Sequence, residues 1–313
     1  MVASIPSKTY TRSDLEIRLA RPEDRAALEA ISAQIWGGDD YLPRVLDGWL
    51  ADGGFYVATL RDQVVGVSKM TRLGDGEWWM EGLRVDPAYQ KLGIARIMHH
   101  YLLNQLHQHE TGVVRFSTEA GNDAVHRLAA ETGFERLAVL VEQRADALPE
   151  PVQSWKVLSA ADAPRVREWL NASPYYVQAA RSYEKDWSFY LLTDERLSER
   201  LKAGLVYEWP GGGCVLLNAP VQERWAAPDR LKAAYLDVPL PDLTAAALDL
   251  RRVAAALNRE AVNLKIVKQP ERSAAFEAAG YSRPWEGETA LYAREISLTQ
   301  NVEVRTEELP PVE

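Results

Sequence analysis

A strand-forming run, Glu77-Trp-Trp-Met-Glu-Gly-Leu-Arg-Val85, stops at Asp86-Pro87 and gives way to Gln90-Lys91-Leu92-Gly93-Ile94-Ala95 and an amphipathic helix. This passage constrains the chain more than any other segment, because the free amides and dipole at a helix start together make a seat for an anion. Phosphate oxygens are the natural guests. Gly93 lets a ligand approach the backbone, and small Ala95 keeps the first turn open. No glycine trio with a later acidic ribose ligand is present, nor any Gly-Lys-Ser/Thr, which excludes a dinucleotide fold and a nucleotide P-loop.

Around this passage the pattern alternates between strands and helices. Leu15 to Leu19 reads as a strand, Arg21-Pro22-Glu23-Asp24 opens a helix, and a second helix is expected over Tyr41 to Leu50. Phe55 to Leu60 and Val64 to Met70 form a hairpin, and Glu77 to Val85 adds a third strand. Ile94, Ile97, Met98, Tyr101, Leu102 and Leu106 make an apolar stripe that should face a sheet. A strand over Val113 to Thr118, a helix over Asn122 to Glu131 and a strand over Phe134 to Glu142 complete the set. Beyond Ala147-Leu-Pro-Glu-Pro-Val152 the order repeats: Trp155 to Leu158, a helix to Leu170, a hairpin around Gly211 to Gly213, then Leu231 to Val238, Leu243 to Leu257 and Val262 to Val267. Ala278-Ala-Gly-Tyr281 echoes Glu131-Thr-Gly-Phe134. The expected fold class is therefore α/β, two copies of one mixed sheet flanked by helices. The expected division is 1–146, a linker over 147–153, a second copy over 154–297 and a loose acidic tail over 298–313.

Composition narrows the chemistry. Cys214, the single cysteine, excludes an internal disulfide and a cysteine-rich zinc site, and with no cationic neighbour in Pro210 to Leu217 it reads as a structural thiol on a strand. A net charge of -9 argues against a nucleic-acid surface. No apolar run is long enough for a membrane span and Met1 to Ser13 carries no secretory signal, so a cytoplasmic protein with no membrane partner is expected. His99, His100, His107 and His109 have neither an i, i+4 pair nor a carboxylate at a recognised ligand spacing, so they read as a solvated helix face and no metal is expected.

The loop over residues 90 to 95 resembles the acetyl-CoA motif of the GNAT family of N-acetyltransferases, Gln/Arg-x-x-Gly-x-Gly/Ala. Leu83-Arg-Val85-Asp-Pro87-Ala-Tyr89 is similar to the family's lead-in, and Asn122 with Gly133-Phe134 to its later landmarks. The resemblance covers residues 13 to 145. It implies acetyl-CoA as co-substrate, with Gln90, Lys91, Leu92, Gly93, Ile94 and Ala95 on the diphosphate. The stretch Leu83, Arg84 and Val85 would lie along the pantetheine arm, and Asn122 belongs to the same cofactor set. Glu81, two residues before Leu83, is the candidate base for the incoming amine, with Glu77 a second carboxylate. Many relatives carry a thiolate-protonating tyrosine where this chain has Ala129; His126, Ser117, a tyrosine of the second half, or water alone, since the CoA thiol is a fair leaving group, are the replacements open to it.

In the second copy the corresponding loop, Val238-Pro239-Leu240-Pro241-Asp242-Leu243-Thr244-Ala245-Ala246, has no glycine, and its prolines delete donors a phosphate would need. That copy reads as degenerate, with Tyr175, Tyr176, Tyr183, Trp187 and Tyr190 as packed core or pocket lining. Trp36-Gly-Gly-Asp-Asp-Tyr-Leu-Pro43, Trp49-Leu50 and Met80 to Val85 also resemble the vertebrate histidine N-acetyltransferase branch, which implies a free amino acid as acceptor. The expected function is acetyl transfer to the primary amine of a small molecule by direct attack in a ternary complex, in a monomer or homodimer. The alternative is a module that binds acyl-CoA without turnover.

Overall fold

The computed structural model describes residues 14–185, 187–219 and 229–298. The expectations for the first thirteen residues and for the tail beyond residue 298 lie outside them. The chain divides into two compact units, one reaching to Val114 and resuming at Arg294, the other Arg115–Ala293. Neither boundary falls in the prolyl segment.

The first unit contains β1 (Leu15–Leu19), α1 (Arg25–Ser32), α2 (Leu42–Asp52), β2 (Phe55–Leu60), β3 (Gln63–Gly74), β4 (Glu77–Val85) and α3 (Ile94–His109). Strands β1 to β4 lie in chain order and are all antiparallel. The β2–β3 hairpin turns through Arg61 (φ 51) and Asp62 (φ 66), the two left-handed residues that the tightest hairpin turn demands. Ala58, Leu60 and Val65 pack against Ile94 and Met98, so α3 covers this sheet as its stripe requires. The stripe is rotated from expectation, however. His99 and Leu103 are buried along with Ile94, Met98, Leu102 and Leu106, while Ile97 and Tyr101 are only half-buried. His99 is therefore not on a solvated face: burial, with His100 and Arg294 nearby, drives its pKa down to about 3, so it is a neutral core residue.

One irregularity in β4 decides which way its side chains point. Val67 pairs with Arg84, but Lys69 pairs with Glu81, so Gly82 and Leu83 together oppose the single residue Ser68. A bulge of this kind shifts the alternation by one and sends the next residues to opposite faces. Gly82 takes φ 71, and a Cβ there would lie 2.5 Å from the Trp49 ring; no other residue fits. Leu83 and Val85 consequently pack on the α3 side with Leu92, while Arg84 joins Asp40 on the other.

Strand β5 (Gly112–Glu119) crosses the boundary at Val114 and Arg115. The second unit continues with α4 (Asp123–Glu131), β6 (Glu135–Asp146), β7 (Lys156–Val157), α5 (Ala163–Ala172), α6 (Pro174–Gln178), β8 (Ser182–Lys185), β9 (Ser188–Leu191), α7 (Asp194–Lys202), β10 (Val206–Glu208) and β11 (Cys214–Leu217). It ends with β12 (Arg230–Asp237), α8 (Leu243–Ala256), β13 (Ala261–Val267), α9 (Pro270–Ala278) and β14 (Thr289–Ile296). Its sheet runs β5-β14-β6-β13-β12-β11-β10-β7, mixed because β12 and β13 are parallel, with β8 and β9 as a separate hairpin. The two sequence copies thus exchange their last strands. Strand β6, the end of the first copy, pairs with β13 of the second, and β14, the end of the second, sits between β5 and β6.

The main core of this unit is Val262, Leu264 and Ile266 of β13 against Leu243, Ala246, Leu250 and Val253 of α8. The prolyl segment after β6 has no regular structure, but its amides are bound. Gln153, Ser154 and Trp155 donate successively to the Asp249 carboxylate on α8, at 2.8 to 3.2 Å. Burial pushes the Asp249 carboxyl up, yet those amides and Arg252 outweigh it and hold the group below the ordinary range. Cys214 is buried at the start of β11, and burial raises its thiol to about 12, which makes it the structural thiol expected.

Candidate functional site

The loop between β4 and α3 begins with Asp86, whose Oδ1 accepts from the Ala88 amide (2.9 Å) and closes a short 3-10 turn over Pro87–Tyr89. Lys91 (φ 64) and Gly93 (φ 77) are both left-handed. The glycine announces such a turn and the lysine does not. Gly93 is the N-cap of α3 and contributes no side chain to it, and the first bond to the cap runs from the Ile97 amide to the Gly93 carbonyl (3.0 Å). Amides of the turn before that bond project from the helix end. Nothing lies within 4 Å of where a Gly93 Cβ would stand, so the residues present fit a bound diphosphate. Gln90 Nε2 donates to the Val85 carbonyl (3.3 Å), spanning the loop mouth.

Glu81 stands on β4 just before the bulge. Thr71 on β3 donates its hydroxyl to Glu81 Oε1 (2.7 Å), which leaves the carboxylate partly exposed and oriented. Thr71 was not singled out from the sequence, although counting residues back through the β3–β4 hairpin places it diagonally opposite Glu81. Lys69, the direct cross-strand neighbour of Glu81, is fully buried and gives its Nζ to the carbonyls of Gly53 (2.7 Å) and Met70 (3.3 Å). Glu77, further up the strand, is buried.

Arg84 departs from its expected company. Its guanidinium faces away from the α3 loop, donates to both oxygens of Asp40 (3.3 and 3.0 Å) and lies over the rings of Trp36 (4.6 Å) and Tyr41 (4.9 Å). Only its backbone shares the path of Leu83 and Val85.

Asn122 and His126 belong to the second unit. Asn122 caps α4, its Oδ1 accepting from the Val125 amide (3.3 Å). His126 Nε2 lies 2.8 Å from the Ala120 carbonyl and Nδ1 lies 2.8 Å from the Tyr292 hydroxyl. A carbonyl only accepts, so Nε2 carries the ring proton and Tyr292 donates to Nδ1. Tyr292 stacks on Phe116 (5.1 Å, 11° between planes). It comes from β14, so only the strand exchange reveals it as the histidine's partner. Ala129, where many relatives carry their acid, is fully buried. Among the described residues no group of three or more His, Cys, Asp or Glu is placed to hold a metal ion, and no helix is long and apolar enough to cross a membrane.

Comparison with known proteins agrees with this architecture. Residues 25–134 match the model of the Acetyltransferase (GNAT) family. A histidine N-acetyltransferase of Oreochromis niloticus is 33% identical over 94 residues, which is 29% of this chain and 28% of that protein. The match therefore spans just over a quarter of the fish protein. Among solved structures, a GCN5-related N-acetyltransferase from Sphaerobacter thermophilus aligns with a TM-score of 0.57 at 13% identity, covering 94% of this chain and 99% of the other. A tandem GNAT protein from the clavulanic acid biosynthesis pathway gives 0.52 at 15% identity, over 91% and 100%. The fold extends along nearly the whole chain. The loop and the bulged strand both lie within residues 25–134, the stretch that matches the GNAT family of acetyltransferases.

Proposed function

We propose that this protein transfers an acetyl group from acetyl-CoA to the primary amine of a small molecule, with a free amino acid as the acceptor to be tested first. The observation that carries the proposal is the loop of residues 90 to 95: two left-handed residues, an uncapped α3 and open space beside Gly93. That geometry suits a diphosphate, and the family generally uses acetyl-CoA. The choice of a free amino acid rests on the relative named for histidine and on the two stretches around Asp40 and Glu81 that resemble its branch.

In this reading the diphosphate takes the amides from Lys91 to Ala95, and the backbone of Leu83, Arg84 and Val85 receives the pantetheine arm. An amine arrives as an ammonium ion and cannot attack until it loses a proton. Glu81, oriented by Thr71, accepts that proton directly or through water. The amine nitrogen then bonds to the acetyl carbon, the carbon–sulfur bond breaks, and the second proton of the nitrogen balances the one the thiolate takes up. His126 is the proposed donor to sulfur: its Nε2 proton leaves the Ala120 carbonyl for the thiolate, Nδ1 takes the Tyr292 proton, and solvent returns one to the tyrosine. Asn122 keeps α4, and with it His126, in place.

Purified protein with acetyl-CoA and a panel of amino acids, including L-histidine, polyamines, aminoglycosides and peptides should release free thiol with at least one acceptor. Cys214 is 1% exposed and adds little background to a thiol reagent. Tight binding of CoA by calorimetry with no turnover across the panel overturns the proposal in favour of a binding module; the fully buried Ala129 is the observation favouring that second reading.

A further inference from the structure

Two segments that are 40 residues or more apart in the chain, Trp36 to Tyr41 and Glu81 to Arg84, meet on one face of the first unit's sheet. The bulge brings them together. Without Gly82 as an extra residue, Arg84 would share the α3 face with the phosphate loop; with it, Arg84 turns to the face of Glu81. There the guanidinium is bound on three sides. Asp40, whose side chain is fully buried, takes two donors, the Leu83 carbonyl accepts from Nη1 (3.2 Å), and the rings of Trp36 and Tyr41 cover it.

The segment held this way contains Gly37 (φ 68) and Gly38 (φ 93), and its backbone bonds are those of one 3-10 turn and of the start of α2, where the Arg44 amide donates to the Tyr41 carbonyl (2.9 Å). Tyr41 starts α2 and contacts Trp49 edge-on at 6.0 Å, while Trp49 rests on Gly82. Burial raises the Tyr41 hydroxyl, Arg84 opposes that, and the charge of Glu81 adds to it, which puts Tyr41 within electrostatic reach of the proposed base. Trp36 remains 65% exposed, an aromatic plane on the side from which an amine reaches Glu81.

We infer that Arg84 is a positioning residue: through Asp40 it latches the Trp36–Tyr41 segment to β4, and this latch shapes the amine side of the site while leaving the acetyl-CoA side alone. Three of the five guanidinium N–H donors are spent on Asp40 and Leu83 and the side chain is only 9% exposed, so Arg84 acts through the segment it holds. The inference rests on the proposed role of Glu81, and the test separates the two.

Arg84→Lys keeps a charge but loses the two-pronged geometry, Asp40→Asn keeps the shape but loses the charge, and Trp36→Ala changes an exposed side chain that cannot unfold the core. Steady-state kinetics are run with L-histidine, or with the panel amine turned over fastest, alongside CoA calorimetry and timed chymotrypsin cleavage after Trp36 and Tyr41. The first two variants should lose on the order of 100-fold in kcat/KM for the amine, be cleaved roughly tenfold faster at those two bonds, behave non-additively when combined, and keep both the affinity for CoA and the pH dependence of the parent. Trp36→Ala should raise the amine KM alone. Folded variants with parental amine kinetics overturn the inference, as does CoA affinity lost in step with amine kinetics. If the parent turns over no amine, the proposed function fails by itself, and unchanged chymotrypsin cleavage then overturns the latch independently.

Discussion

The two copies of the strand–loop–helix passage differ at each feature on which the proposed site depends. In the first copy, β4 bulges at Gly82, Glu81 stands beside Lys69, and the loop makes two left-handed turns before an uncapped helix. In the second copy β12 is also irregular, its pairing with β11 shifting between Leu217–Ala233 and Leu216–Tyr235. The residue in the place of Glu81 is Ala233. Its loop passes through a 3-10 turn over Leu240–Asp242 straight into α8, and none of its residues is left-handed. The strand ends are closed by side chains: Asp237 is held by Arg272 (2.9 Å), Tyr235 (3.3 Å) and Ser173, and the Val267 amide donates to the Tyr175 hydroxyl (3.2 Å). The scaffold is shared and the loop geometry is not. In the second copy the strand end finds its partners within the protein, as a buried strand end that meets no ligand must.

If the contrast between Glu81 and Ala233 is the functional one, Glu81→Gln should lower kcat by roughly 10²- to 10⁴-fold. The parent's rate should fall toward acid pH as the carboxylate is protonated, and the variant should lack that limb. Full activity in this variant removes Glu81 from the mechanism.

The closed cleft of the second copy makes a stability prediction. Arg272 and Asp237 are both largely buried, and Arg272 also lies 3.4 Å over the Tyr175 ring. Breaking a buried pair strands a charge, so Asp237→Asn should cost roughly 3 kcal/mol in urea unfolding. Calorimetry of the same variant should show CoA binding as in the parent. A gain or loss of binding would mean that this cleft takes part, contrary to its reading as a closed one.

Loop geometry gives the next largest effect. Gly93→Val puts a β-branched side chain at φ 77 and into the open space beside the loop, and loss of one or two charge-assisted hydrogen bonds predicts CoA binding at least about tenfold weaker. Pro239→Ala, the same test on the second loop, should leave CoA binding untouched. Equal effects of the two substitutions would erase the distinction between the copies.

The local devices were readable from the sequence and the long-range pairings were not. Pro87, Gly93 and Ala95 announce a helix-start anion seat because each acts on its own stretch of backbone, the proline ending the strand, the glycine permitting a left-handed turn and the alanine leaving the first turn open, and the prolines at 239 and 241 announce a different loop just as locally. The exchange of β6 and β14 has no such signal. Both are strands bounded by the same Gly-aromatic step, Gly133-Phe134 and Gly280-Tyr281, and nothing within either one says whose sheet it joins. Tyr292 as partner of His126 was hidden with it. The rotated face of α3 was missed because a histidine was read as polar, whereas neutral His99 packs like any other ring. The bulge was half-legible: Gly82 interrupts a strand, a known mark of a bulge, but only the paired register shows that Arg84 changes face.

The smallest predicted effect divides the loop's contribution into backbone and charge. Lys91 holds φ 64, a conformation that costs a non-glycine residue roughly 1 kcal/mol. Lys91→Gly removes that strain but frees the unfolded chain by a similar amount, about 0.5–1 kcal/mol, so stability should hardly move. Lys91→Ala keeps the strain and, like the glycine, deletes the ammonium. An exposed charge beside a phosphate is worth up to about 1 kcal/mol, so both variants should bind CoA a few-fold more weakly, with a flatter dependence on salt than the parent. If the alanine variant loses affinity and the glycine variant does not, the left-handed turn is what the ligand needs and the lysine charge is incidental. If both lose it equally, the charge is the contribution, and a second copy with neither glycine nor cation in its loop, Val238 to Ala246, lacks both halves of the seat.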